Sequence, residues 1–400
     1  MSVRDYKWFW WAALVSNTGS WMQNAAIPFV IFEITGRNAA VGITGFFQYV
    51  PVMFMGLVGG SLADRFRRRN VLIVAQIVQA VVAFALYLDI AAGTATPVRI
   101  SALAFLAGLA GGLNVPVWQS FVSELVPRDL LPNAVALNST QFNAARALGP
   151  LIGFAAVLWL GPAPVFLFNA ISFAAVLGAL PMISAGRTAP QRDGVRPGAM
   201  ADLRAGFAYV WSSPMVRTCC GVIALVAGVA SPLFSFLPAS IGQQVFDLGP
   251  GEIGVLSGAG GIGALIAAPL LLTRLVDADR AKVMVASLLT HALGVGIVGV
   301  APNVWVAVVG VALFGGSYLA IAATMNTTIQ LAVPDELRGK TFAIYVGCLT
   351  GALPIGLFVW GWAADAIGIR WVVIAASGLL AAVAVGAWRS GRLAPMSQLV

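Results

Sequence analysis

The sequence predicts an all-α membrane protein with twelve transmembrane helices in two pseudo-symmetric six-helix bundles. Three observations lead there. First, 60% of the 400 residues are apolar and only 10% are charged, against about 45–50% and about 25% in soluble domains. Second, the apolar residues fall in runs of roughly 20, the length that crosses a bilayer as a helix, whereas barrel strands need only about 9–11. Third, landmarks recur at one spacing: Pro127 and Pro334 stand 334 − 127 = 207 positions apart, and so do Gly161 and Gly368. A fixed offset of that kind marks a duplicated unit.

Taken in order, the helices are expected near 8–33, 40–63, 71–91, 98–121, 135–160, 163–185, 215–239, 250–273, 281–300, 303–328, 341–364 and 371–389. The first run follows Arg4 and Lys7. It is too long for the apolar core of a signal peptide, and no small-residue cleavage site follows, so it is expected to stay as an anchor. Lys and Arg crowd the loops on the face holding the N-terminus, 19 against 3 on the other face, with Arg146 inside a span. By the positive-inside rule both termini are then cytoplasmic. The longest polar segment, Gly186–Ser213, carries Pro190 and Pro197. Its second half places Leu203, Phe207 and Val210 on one face, the pattern of a short helix lying on the membrane surface. This organisation reads as a bundle over 1–185, a linker over 186–213 and a second bundle over 214–400.

The composition also excludes function classes. The net charge of +8 is spread over the ends of apolar runs, which argues for topology signals and against nucleic-acid binding. Cys219, Cys220 and Cys348 lie within apolar runs and read as small buried hydrophobes. A single histidine rules out a multi-histidine metal site, and no nucleotide-binding glycine pattern follows a strand. Neither metal nor cofactor is expected, and no nucleophile–base pair suggests an enzyme.

Between the second and third runs lies Gly60–Leu72, GSLADRFRRRNVL. Its spacing, carried by Gly60, Leu62, Ala63, Asp64, Arg65, Arg68 and Arg69, resembles the loop signature of the major facilitator superfamily of secondary transporters, with Arg67 where that family usually has glycine. The resemblance implies the major facilitator fold. It further implies that Asp64 meets the N-terminus of the eleventh helix, near Thr341, and that Asp64, Arg68 and Glu124 form a charge cluster latching the halves when the protein opens outward.

The fifth helix holds Arg146 about 18 Å inside the span at 1.5 Å per residue. A guanidinium so placed should face a polar interior. Two readings stand: contact with substrate or an anion, or a structural arginine holding carbonyls or a carboxylate. Ala145-x-x-x-Gly149-Pro150-x-x-Gly153-Phe154 resembles the exporter signature of the superfamily, although Ala145 and Phe154 depart from its outer glycines. Gly149 and Gly153 permit close helix approach and Pro150 bends the helix. Gly254 and Gly258 of the eighth helix offer a matching surface.

Polar and aromatic residues inside the spans outline a cavity suited to amphipathic organic solutes. They are Asn17, Trp21 and Asn24 on the first helix, Gln48 on the second, Asn114 and Trp118 on the fourth, Asn138, Gln141, Asn143 and Arg146 on the fifth, Tyr318 on the tenth and Tyr345 on the eleventh. Ser231 and Ser235 share a face of the seventh. Every carboxylate lies near a helix end or in a loop, so coupling to protons has only Glu33, Asp89 and His291 as candidates, and a lone histidine on an apolar helix is more often structural.

Across nearly all of its length the chain is similar to the branch of the superfamily containing bacterial siderophore and macrolide exporters. That resemblance implies a monomeric, multi-pass protein of a bacterial inner membrane. It would export amphipathic small molecules by alternating access, in antiport against protons. The alternatives are a proton-coupled uptake symporter and a non-transporting sensor or scaffold of the same fold.

Overall fold

The computed structural model describes residues 3–183, 199–235, 238–274 and 278–398, with the main chain alone at 56–65, 199–203, 235 and 398. Among these residues all regular structure is helical. The helices are α1 Arg4–Thr35, α2 Asn38–Arg65, α3 Arg68–Ala91, α4 Pro97–Glu124, α5 Leu131–Leu160, α6 Ala163–Ala179, α7 Ala199–Ser212, α8 Pro214–Val229, α9 Ser231–Ser235, α10 Pro238–Phe246, α11 Pro250–Thr273, α12 Arg280–Val300, α13 Val304–Ala332, α14 Asp335–Ile367 and α15 Ile369–Arg389. Ten of the described helices are long and apolar enough to cross a membrane, so the chain is a multi-pass membrane protein.

α1 is not among those ten, although its 32 residues would reach about 48 Å at 1.5 Å per residue. Ser16, Asn17, Thr18, Ser20, Gln23 and Asn24 interrupt its apolar run. A helix sheltered by its neighbours tolerates such residues, and α1 is sheltered: Phe9, Ile27 and Ile31 are almost fully buried.

Two compact units divide the chain. The first comprises Met1–Asp193 with Asp247–Gly258, the second Gly194–Phe246 with Ala259–Val400. In the first unit α1 is fastened to α4 and α5. Phe9 packs on Trp118 and Phe121 with ring centroids 4.4 and 5.2 Å away. The Tyr6 hydroxyl donates to the Ala134 carbonyl at 2.7 Å, and the Trp10 indole donates to that of Leu137 at 2.9 Å. Such clamps matter in lipid, where tails are as apolar as the side chains and helices associate through packing and hydrogen bonds.

The second unit uses the same devices. The Trp360 indole donates to the Gly228 carbonyl at 2.9 Å, tying α14 to α8. Ser377 and Arg370 of α15 donate to the carbonyls of Ala292 and Ala301 at 2.8 and 2.9 Å. Asp279 caps α12, accepting from the amides of Ala281 and Lys282 at 2.9 and 3.3 Å, and receives the Ser397 hydroxyl at 2.7 Å. These hydrogen bonds, Ser397's foremost, hold its carboxyl below the ordinary carboxylate value.

Three sequence expectations are corrected. The span expected over 215–239 is interrupted at Ala230, between α8 and α9, near Pro232, which lacks the amide hydrogen a continuous helix needs. The sixth helix stops at Ala179 and passes into a 3-10 turn, Leu180–Met182, around Pro181. The eleventh helix starts at Asp335 rather than near Thr341, with Asp335 and Glu336 in its first turn, where the helix dipole favours carboxylates. The short helix expected within Gly186–Ser213 is α7; Gly206 and Val210 are buried, Phe207 is 59% exposed, and the Leu203 side chain lies outside the described residues. A Cβ at Gly206 would come 2.8 Å from the Lys340 carbonyl oxygen, so only glycine lets α7 lie this close to α14.

Candidate functional site

The polar residues expected to outline a cavity are brought together in pairs inside the first unit. The Asn17 amide donates to Gln141 Oε1 at 3.2 Å, joining α1 to α5. Gln48 Nε2 donates to Asn24 Oδ1 at 2.9 Å, joining α2 to α1. The Trp118 indole donates to Asn138 Oδ1 at 3.2 Å, joining α4 to α5, and Gln76 Nε2 reaches Asn114 Oδ1 at 3.5 Å. Trp21 meets Phe142 edge to face with centroids 5.8 Å apart.

These pairs do not exhaust their hydrogen-bonding capacity. Gln48 Oε1, Gln76 Oε1 and Gln141 Nε2 are buried and have no hydrogen-bond partner among the described residues. Buried amide atoms are nearly always bonded, so each of these three keeps capacity for water or another polar group. Two members were missed in the sequence. Gln76 is 2% exposed and Asn169, 1% exposed, donates to Gln23 Oε1 at 2.8 Å. The signal was present for both, an amide within an apolar run, and it is as strong as that of Asn114.

On α5, Asn143 turns its amide to the Ser139 carbonyl of its own helix at 2.9 Å, an arrangement that uses its donor locally. Arg146 lies fifteen residues from the start of α5; it is half-buried and already engaged by a polar or electrostatic contact. The glycine motif that follows has two working faces. Gly149 and Gly153 face α1: a Cβ at Gly149 would collide with Trp21 Cβ, and one at Gly153 would lie 3.2 Å from Met22 Cα. The expected match of these glycines with Gly254 and Gly258 is therefore corrected. Those α11 glycines instead receive two large side chains of α5, Phe154 and Leu151. Their Cβ positions fall 2.7 Å from Phe154 Cβ and 2.8 Å from Leu151 Cγ. Small residues on α5 admit α1, and small residues on α11 admit α5.

Of the charge cluster, Arg68 and Glu124 form an ion pair, with side chains 18% and 27% exposed. Gly60, Asp64 and Arg65 lie outside the described residues, apart from their main chain in α2.

In the second unit Tyr318 stacks on Phe314 with centroids 6.2 Å apart, and Phe314 carries the His291 ring at 4.7 Å. His291 is fully buried and its Nδ1 is 3.0 Å from Ser317 Oγ. Tyr345 is 3% exposed and packs beside Phe342 at 5.7 Å. Ser231 is buried with its hydroxyl unpartnered among the described residues; the Ser235 side chain is outside them. Asp89 sits at the α3–α4 turn, where Oδ1 accepts from Thr94 at 2.7 Å and Arg99 at 3.0 Å. Glu33 is exposed near the end of α1. None of the three proton-coupling candidates is hydrogen-bonded to the paired amides in any contact described.

Comparison with known proteins follows the same line. A family model described as transmembrane secretion effector matches residues 1–398. The multidrug efflux pump Tap of Mycolicibacterium fortuitum is 25% identical over 373 residues, covering 92% of this chain and 90% of that protein. The enterobactin exporter EntS of Shigella boydii serotype 18 is 28% identical over 338 residues, covering 82% and 78%. Among solved structures, a D323A mutant of the nucleoside transporter NupG superposes with a TM-score of 0.81 at 12% identity, over 98% of this chain and 100% of that one. A bacterial homologue of the human lysosomal transporter Spinster, inward-facing and occupied, gives 0.75 at 15% identity, over 100% and 98%. These structures share the fold.

Proposed function

The chain belongs to the transmembrane secretion effector family of the major facilitator superfamily, and from that premise we propose that it exports amphipathic small molecules by alternating access, in antiport with protons. In this reading twelve spans form two six-helix bundles over 1–185 and 214–400, joined by a linker over 186–213. The protein works as a monomer in a bacterial inner membrane with both termini in the cytoplasm. Asp64, Arg65 and Gly60 complete the latch begun by Arg68 and Glu124.

The observation that carries the reading is the set of open amide atoms on Gln48, Gln76 and Gln141, buried in the first unit. Open amides and the indoles of Trp21 and Trp118 within one unit suit a solute with an apolar body and a few polar groups. The polar ends fix its orientation, and the indoles cover its rings. Similarity to a multidrug pump and an enterobactin exporter over most of the chain supports outward movement of such solutes.

Purified protein in proteoliposomes, loaded with a fluorescent amphipathic dye, tests this directly. Imposing a pH gradient should drive dye against the direction of proton flow, and Gln141→Leu should slow it. Dye accumulating in the direction of proton entry would reject export in favour of uptake. No flux of any amphipathic dye, with the protein folded, would favour a sensor or scaffold.

A further inference from the structure

The second unit carries a long apolar groove that the transport reading does not use. It lies between α11, α12 and α13, encloses about 750 Å³, and is lined by Ile266, Leu270 and Val309 among others. Those three side chains are 61%, 50% and 55% exposed, so the groove opens toward the bilayer. Among the described residues its one charged lining residue is Lys282, in the first turn of α12. From Lys282 to Thr290, eight residues on, the groove runs roughly 12 Å along α12, close to the ~15 Å depth of one leaflet's hydrocarbon.

The first unit repeats the feature in the same register. A groove of about 440 Å³ lies between α3 and α4. Ala75, Leu106 and Ala110 line it, and each stands 207 positions before Lys282, Leu313 and Ser317, which line the larger one. That is the offset of Pro127 and Pro334. The smaller groove has no charged residue in its described lining: Ala75 stands where the larger one has Lys282.

We propose that the α11–α12–α13 groove binds an anionic phospholipid, its acyl chain lying along Thr290 and Val309 and its headgroup phosphate held by Lys282. Apolar length and a cation at the headgroup level match the two parts of such a lipid, and basic pockets between spanning helices recognise anionic headgroups in this way. The neighbouring carboxylate, Asp279, makes its hydrogen bonds to Ser397 and to the amides of Ala281 and Lys282. The inference needs only that the chain spans a bilayer, so it stands apart from the direction or substrate of transport.

Full-length protein, stripped of lipid in detergent, is titrated with phosphatidylglycerol or phosphatidylcholine of identical chains, and retained lipid is counted by native mass spectrometry. Phosphatidylglycerol should be preferred about fivefold, and Lys282→Gln should abolish that preference. Lys282→Arg should keep it. Ala286→Phe, which fills the exposed groove wall without touching Lys282, should lower retention of both lipids. Equal retention of the two lipids by the unsubstituted protein would overturn the proposal, as would an unchanged preference in Lys282→Gln. Displacement of the lipid by millimolar inorganic phosphate would also overturn it, since a headgroup alone would then suffice.

Discussion

Arg68 and Glu124 form an ion pair between the first residue of α3 and the last residue of α4. Each charge is misplaced on its own helix: a cation at the positive end of α3, an anion at the negative end of α4. Each is well placed beside the partner helix, where the dipole signs are reversed. The pair therefore corrects two unfavourable ends at once, and it fixes the α3–α4 geometry at the base of the first unit.

Neutralising one member should thus cost more than neutralising both. Arg68→Gln or Glu124→Gln leaves a half-buried charge at the wrong helix end and should destabilise by about 1–2 kcal/mol. The double substitution should recover a good part of that loss. Thermal unfolding of the four purified proteins in detergent gives the coupling directly, and strict additivity would show that the pair contributes nothing.

The glycines of α5 and α6 make a sharper contrast. Gly149→Ala places a Cβ against Trp21 Cβ and should cost about 1–3 kcal/mol through overpacking. Gly178 on α6 meets nothing within 4 Å, so Gly178→Ala should be neutral or slightly stabilising. Expression and unfolding temperature compare the two. Equal behaviour would mean that α1 and α5 separate without penalty.

The buried Gln23–Asn169 bond links α1 to α6 at 2.8 Å. Removing one amide strands the other, at about 1–3 kcal/mol. Replacing both by leucine leaves no orphan and should cost less than either single change. The same thermal assay distinguishes these outcomes.

The tail contact of Asp279 has a defined pH dependence. Its carboxyl is held below the ordinary value by Ser397 and two amides. A depressed carboxylate contributes stability that is present above its unfolded value and disappears as pH falls through the folded one. Protection of residues 394–398 from carboxypeptidase should therefore be flat across neutral pH and vanish only in acid below the usual carboxylate range. Asp279→Asn should remove it at every pH.

How much of this was legible beforehand depended on whether the signal was local. α11 occupies its expected residues, 250–273, and α12 starts within one residue of expectation, because Pro250 and Asp279 mark their starts by turn chemistry. Asp335-Glu336-Leu337-Arg338 read as a loop since it is charged. In the structure those charges stabilise the first turn of α14, with Arg338 bridged to Asp335. The break after Val229 was hidden because hydropathy averages over Pro232. For the amides, identity was legible and pairing was not. Asn17 and Gln141 are 124 positions apart, and nothing in either run names the other. The α5 glycines were expected to meet those of α11, whereas they face α1, and α11 is met by the bulk of Leu151 and Phe154.

The pH response of transport tests the candidates for proton coupling. His291 is fully buried against Phe314, with Ser317 on its Nδ1, and Asp89 is taken up by Arg99 and Thr94. Each side chain is thus occupied by partners of its own. His291→Asn keeps a polar group for Ser317, and Asp89→Asn keeps an acceptor for Thr94. Both variants should then transport dye with the pH dependence of the unsubstituted protein, while His291→Ala should lose roughly 2–4 kcal/mol of stability by opening a cavity beside Phe314. Flux measured across a range of imposed pH gradients decides the matter. A shifted or flattened profile in His291→Asn, with its unfolding temperature unchanged, would place the proton on that ring and move the coupling step into the second unit.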